Sequence, residues 1–160
     1  MPETVCRFES CPRHYFMEDI ETKIFVGQKA FINRGGKLLV LRDPEYMVGN
    51  QKGLDLPGGR FRWGDDPIRE LLREVDEETG LKVKVGKPFI TWTNIDHMKK
   101  EPNQIFYVGY DCKYLSGEVR LSDEHNQYEW VDSKSYTKWK ENNGTYRAIS
   151  EYFRALSSVG

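Results

Sequence analysis

The stretch Gly58 to Leu81, GGRFRWGDDPIRELLREVDEETGL, constrains this chain more than any other, because both ends of a helix are written into it. Asp66 suits an N-cap and Pro67 the first helical position. Gly80 suits the stop. Between them Ile68, Leu71, Leu72 and Val75 recur at helical spacing, so one face is expected to pack on a core. Upstream, Leu54-Asp55-Leu56 reads as a short strand halted by Pro57-Gly58-Gly59, whose glycine backbone can approach a ligand closely. Glu70, Glu74, Glu77 and Glu78 stand at helical offsets, and residues three or four apart are neighbours on a helix. Glu74, Glu77 and Glu78 are therefore expected on one side of one turn, opposite buried Leu72 and Val75. Crowded carboxylates repel unless solvent or a cation offsets the repulsion. Hard divalent cations such as Mg²⁺ take oxygen ligands and share them with substrate phosphates.

The remaining chain reads as mixed strands around that helix. Met1 to Thr22 is an N-terminal arm without a clear pattern. Lys23 to Ile32 and Lys37 to Arg42 flank the turn Asn33-Arg34-Gly35-Gly36, and the pair predicts a hairpin. Strands are expected at Lys82–Val85, Pro88–Trp92, Gln104–Tyr114 and Tyr128–Val131, and helices at Ser133–Glu141 and Tyr146–Leu156. The order predicts an α/β fold, a mixed sheet covered on both faces. No linker divides it, so residues 1–160 are expected to form a single domain, with C-terminal helices within 133–160.

Charge narrows the function. Charged residues make up 31% of the chain, yet the formal net charge is −1. A duplex nucleic-acid binder would show a basic surplus, and none is present. No apolar run is long enough to span a bilayer, and no apolar signal core is evident. Cys6, Cys11 and Cys112 are an odd set, which fits a reducing compartment, so a cytoplasmic location is expected. Cys6, Cys11 and His14 have the look of half a zinc site that Cys112 could complete, but no CxxC pair supports it. His97 and His125 read as solvated single histidines.

The Gly59–Leu81 segment resembles the box of the Nudix hydrolase superfamily, the MutT-like pyrophosphohydrolases, whose pattern is G-x5-E-x7-R-E-U-x-E-E-x-G-U with U a bulky aliphatic residue. Gly59, Arg73, Glu74, Val75, Glu77, Glu78, Gly80 and Leu81 match it. Asp65 departs from it, standing where the family has Glu. The resemblance implies a Nudix-type α/β/α sandwich. It implies Mg²⁺, or Mn²⁺ in its place, held by Glu74, Glu77, Glu78 and the carbonyl of Gly58. Arg73 would orient the glutamates and Gly59 would shape the loop. The water's proton would pass either to a box glutamate, Glu77 or Glu78, or to an acid outside the box. Glu124 stands six residues before Trp130, as such an acid does in Nudix triphosphatases. Glu129 is a weaker candidate.

Arg42, at the end of its strand, and Arg60, beside the glycine loop, are the expected phosphate contacts, since guanidinium groups bind phosphate bidentately. Arg62 is a second departure, because many homologous boxes carry Glu there. Phe25, Tyr46, Trp63, Trp92 and Phe106 are candidate base platforms. The implied substrate is a small nucleotide: a nucleoside triphosphate or another nucleoside diphosphate derivative. ADP-ribose or a nucleotide sugar is a second reading, which the positions of Pro88 and Pro102 do not favour. A module that senses nucleotide without cleaving it is a third, and the intact glutamates argue against it. The arm and the long 104–114 strand offer surfaces for a homodimer.

Overall fold

The computed structural model describes residues 23–44, 52–96 and 103–158. Among these, β1 (Ile24–Arg34) and β2 (Lys37–Arg42) make the expected hairpin, followed by β3 (Leu54–Asp55), α1 (Pro67–Thr79), β4 (Lys82–Asp96), β5 (Asn103–Ser116), β6 (Gln127–Val131) and α2 (Gly144–Ser157). The sheet runs β3-β2-β1-β5-β4, and β6 adds to β2. β1 and β5 are parallel while the other pairs are antiparallel, so the sheet is mixed.

Alternation along the central strands sorts the core into two layers. Ala30, Ile32, Leu39 and Leu41 face Leu71 and Val75 of α1. Phe31, Leu38 and Val40 face Ala148, Ile149 and Phe153 of α2. With a helix on each face, the architecture is the expected α/β/α sandwich.

Four expectations need correcting. The separate strands at 82–85 and 88–92 are one strand, β4, with irregular register on both sides of Pro88. Proline cannot donate to the ladder, so the strand bulges around it and does not end. The helix expected over 133–141 is only a 3₁₀ turn, Ser135–Trp139, with no side-chain cap on Lys134. It hangs from Asp132, whose carboxylate accepts the N–H groups of Lys134 and Ser135 at 2.9 and 2.8 Å. On α1, Leu72 is 39% exposed, and Leu71 fills the buried position with Val75, Glu78 and Thr79. The helix is thus rotated from the expected face, and one of the glutamates turns inward.

The β1–β2 hairpin pairs at Asn33↔Leu38 and Arg34↔Lys37. Farther down β1, the backbone after β3 takes over as its partner. Ala30 N donates to Pro57 O at 2.7 Å, Gln28 N to Gly59 O at 2.9 Å, and Phe61 N to Val26 O at 2.9 Å. The glycine loop is therefore laid along a buried strand. A Cβ on Gly58 would stand 2.3 Å from Gln28 O, and its φ of +130° is one that side chains resist. On the other face, Asn94 of β4 fixes the start of α2. Its Oδ1 accepts from Gly144 N at 2.8 Å and its Nδ2 donates to Thr145 Oγ1 at 2.9 Å. Asn94→Ala strands both groups, and urea unfolding should show a loss of about 1–3 kcal/mol.

Candidate active site

Helix α1 is anchored where the sequence places its ends. Asp66 Oδ1 accepts from Arg69 N at 2.8 Å, and Gly80 closes the helix at φ 69°. Asp65, the departure from the box, still supports the loop, because its Oδ2 accepts from Arg62 N at 2.7 Å. Glu78 turns into the protein at 5% exposure, and its Oε2 accepts from Gly58 N at 2.9 Å. Burial pushes its carboxyl up to about 7, against the opposing pull of Lys29 and the Gly58 N–H. Glu74 lies against the next glycine: a Cβ on Gly59 would meet the Glu74 carboxylate at 3.0 Å.

Arg73 organises the outer carboxylates. Its Nε donates to Glu70 Oε1 at 2.6 Å, and its terminal nitrogens bond Glu70, Glu74 and Glu77. Those hydrogen bonds, donated to Glu70 and Glu77, hold the guanidinium pKa above its ordinary value. Among the described residues no three His, Cys, Asp or Glu side chains converge by themselves as a ligand cluster. Three carboxylates do converge on one positive charge, that of Arg73.

Behind the loop lies a polar network that sequence reasoning missed. Lys29, 5% exposed, donates to Asp55 Oδ2 at 2.8 Å and to the carbonyl of Gly58 at 3.0 Å. That carbonyl, an expected metal ligand, thus meets an ammonium on this side. Burial pulls the Lys29 pKa down, but the charges of Asp55, Tyr107 and Glu78 outweigh it and hold it above its ordinary value. Asp55 is correspondingly held low: burial opposes this, and Lys29 and His125 prevail. His125 is not solvated as expected. It is 6% exposed, with Nε2 3.5 Å from Asp55 Oδ2. Burial lowers its pKa, but Asp55 and Glu78 more than compensate, so it titrates above the usual range. A charge inside an apolar strand (Lys29 in GQKAFI) and an acid between two leucines (Asp55) were the available signals.

The remaining candidates disperse. Glu124 is exposed on the segment between β5 and β6. That segment touches both site elements, with Ser122 N donating to Glu78 O at 3.3 Å and Asn126 N to Arg42 O at 3.2 Å. The Arg42 guanidinium lies 4.6 Å from the Trp139 ring centre, and its Nε is buried without a hydrogen-bond partner. Arg60 is exposed, 5.1 Å from the ring of Phe25. Glu129 holds Lys138 at 2.5 Å, away from the glutamate cluster.

Of the aromatic candidates, Trp92 is core, stacked on Tyr107 at 5.3 Å, and Trp63 stands fully in solvent. Tyr46, His97, Cys6, Cys11 and His14 lie outside the described residues. Cys112 is fully buried, and burial pushes its thiol up to about 12, so it is unsuited to complete a zinc site. A cavity of about 330 Å³ opens beside Asp55, lined by Tyr107, Asn94, Asn142 and Arg147.

Comparison with known proteins adds an independent line. The NUDIX domain family model matches residues 27–152. The rat bis(5'-nucleosyl)-tetraphosphatase [asymmetrical] is 33% identical over 78 residues, which is 47% of this chain and 52% of the rat enzyme. The chain thus spans about half the length of that relative. Nucleoside triphosphatase NudI of Escherichia fergusonii is 26% identical over 59% of this chain and 72% of its own. The crystal structure of the MutT protein from Methanosarcina mazei Go1 superposes with a TM-score of 0.68 at 28% identity, covering 86% of this chain and 97% of that one.

The inward glutamate makes the fold sensitive to pH. In the unfolded chain Glu78 ionises near 4.5, and in the metal-free fold near 7. Between these values the fold binds more protons, so stability falls as pH rises. His125, raised when folded, acts in the same direction. Thermal melts in chelator should show the midpoint dropping toward pH 7, and Glu78→Gln should flatten that slope.

Proposed function

The chain belongs to the Nudix hydrolase family, and from that footing we propose that it hydrolyses a diphosphate linkage in a nucleoside triphosphate or another nucleoside diphosphate derivative, with Mg²⁺ or Mn²⁺. The observation that carries this reading is the carboxylate set of α1, two of whose members, Glu74 and Glu78, lie against a glycine loop built into the sheet. Glu70, Glu74 and Glu77 gather on Arg73, and Glu78 closes on Gly58 N. An all-oxygen donor set with unsatisfied negative charge suits a hard divalent ion. Glu74, Glu77 and Glu78 would hold it, where it would offset phosphate charge and acidify a water.

The chain's own residues supply the rest. Arg73, bonded to Glu70, Glu74 and Glu77, would orient those carboxylates and is a positioning residue. Arg60 borders the loop and would take phosphate oxygens, whereas Arg42, held over Trp139, would have to turn from that ring to join it. Gly59 leaves room for the Glu74 carboxylate. Either Glu124, on its exposed segment, or a box glutamate, Glu77 or Glu78, would accept the proton of the attacking water. The cavity by Tyr107, Asn94 and Asn142 is of a size to take a base, with the phosphates directed past Asp55 to the loop. The likeness to nucleoside triphosphatase NudI favours a nucleoside triphosphate. The likeness to the rat tetraphosphatase puts dinucleoside polyphosphates next. Among the described residues no helix is long and apolar enough to cross a membrane. The cysteine usage alone supports the reading of a reducing, cytosolic compartment.

A hydrolysis screen with product identification tests this, across canonical and oxidised nucleoside triphosphates, ADP-ribose, nucleotide sugars and dinucleoside polyphosphates. Turnover that needs Mg²⁺ and disappears in Glu77→Gln is the expected outcome; full turnover in Glu77→Gln would sink the reading. Arg73→Ala should weaken metal affinity by about 10–100-fold, as removal of a group that orients ligands does.

Metal binding should also release protons. Glu78 is half-protonated near pH 7 in the metal-free fold, and a ligand must be a carboxylate. Calorimetric Mg²⁺ titrations in buffers of different ionisation enthalpy should show release approaching one proton below pH 7 and fading above it. Release that persists unchanged in Glu78→Gln would exclude this assignment.

A further inference from the structure

We propose that His125 is a positioning residue: through Asp55 and Lys29 it fastens the 122–126 segment, and with it Glu124, to the underside of the glycine loop. The proposal rests on the hydrolase reading for the role of Glu124, while the anchoring itself is independent of it.

The segment Ser122-Asp123-Glu124-His125-Asn126 is polar throughout, and such a connection normally lies in solvent. Here one member, His125, is 6% exposed while both acids before it are exposed. The segment's backbone attachments are long: Ser122 N to Glu78 O at 3.3 Å, His125 N to Ser122 O at 3.3 Å, and Asn126 N to Arg42 O at 3.2 Å. Inserting the imidazole adds a side-chain attachment at the centre, and its Nε2 faces Asp55 Oδ2 at 3.5 Å.

Asp55 is a firm anchor because it cannot move independently. Its Oδ1 accepts from Leu56 N at 2.8 Å and pairs with Lys29 Nζ at 2.8 Å. Lys29 in turn holds the Gly58 carbonyl at 3.0 Å. A buried ammonium must keep such partners, since losing one leaves a charge without compensation. The chain His125–Asp55–Lys29–Gly58 therefore joins two segments far apart in sequence, one carrying Glu124 and the other lying against Glu74 and Glu78. Its consequence is that the acid outside the box is held in register with the acids inside it.

Two readouts test this in the full-length protein. In the first, amide hydrogen exchange is followed at Ser122, His125 and Asn126. His125→Ala should speed exchange there at least about tenfold and leave Ile149 and Tyr152 of α2 unchanged. Asp55→Asn should loosen the same amides, although it lies in another strand. His125→Gln, whose side-chain amide can still donate toward Asp55, should restore most of the protection. In the second, a double-mutant cycle is measured in the Mg²⁺-dependent assay. His125→Ala should lower kcat with KM within about twofold, and Glu124→Gln should cost much less in that background than in the wild type.

Unchanged exchange at 122–126 in His125→Ala would overturn the proposal, as would losses that simply add in the cycle when Glu124→Gln alone lowers kcat. A wild type that turns over no nucleotide, with exchange still accelerated in His125→Ala, would sink the hydrolase reading and uphold the anchor.

Discussion

An ammonium group almost sealed from water is the constraint around which this structure is arranged. Lys29 sits mid-strand in β1, where its neighbours Ala30 and Phe31 are fully buried. Such a charge is tolerable only with close, well-aimed partners. Asp55 comes from β3 and the carbonyl from Gly58, so satisfying one lysine fixes the strand–loop junction on which the site is built. The loop's glycines follow from the same closeness: a chain drawn this near to β1 has no room for a Cβ at Gly58.

The helix above the loop presents the opposite problem, an excess of negative charge. Two devices divide it. Arg73 gathers Glu70, Glu74 and Glu77 on the outside. Glu78 is taken inside, where Lys29 lies within electrostatic reach and Gly58 N provides a hydrogen bond. The inner and outer acids therefore differ in kind. The outer ones are ion-paired at the surface, where such pairs contribute little to stability and can be exchanged for another cation. The inner one is coupled to the core. On the proposed metal-dependent reading, a helix with this division would take up and give back a divalent charge without losing its seat on the sheet.

Much of this was legible in the sequence, and the exceptions have physical reasons. Helix α1 announced itself through Asp66, Pro67 and Gly80, because capping is local chemistry. The hairpin followed from its Gly35-Gly36 turn, the covered mixed sheet from the order of its elements, and the sandwich from the resemblance of the box. The rotation of α1 was hidden because Leu71 and Leu72 are the same residue type, and only the sheet decides which one is buried. The inward turn of Glu78 was hidden for the same reason: a fourth glutamate looks like the other three until its neighbours are known. β4 was divided at Pro88 because proline usually ends a strand, whereas here a bulge carries the strand past it. His125 looked solvated because the acids beside it are solvated, and its partner lies in β3. The network of Lys29, Asp55 and His125 is entirely a product of tertiary proximity.

The parallel pairing of β1 with β5 has a consequence for how the molecule comes into being. β1 ends at Arg34 and β5 begins at Asn103, so the two central strands meet only after everything between them has been made. β4 pairs with β5 in the sheet order and likewise waits for it. During synthesis the glutamate helix and the glycine loop therefore leave the ribosome well before the sheet that orders them can close. Such late, long-range closure favours slow folding and leaves strand edges open in the interval.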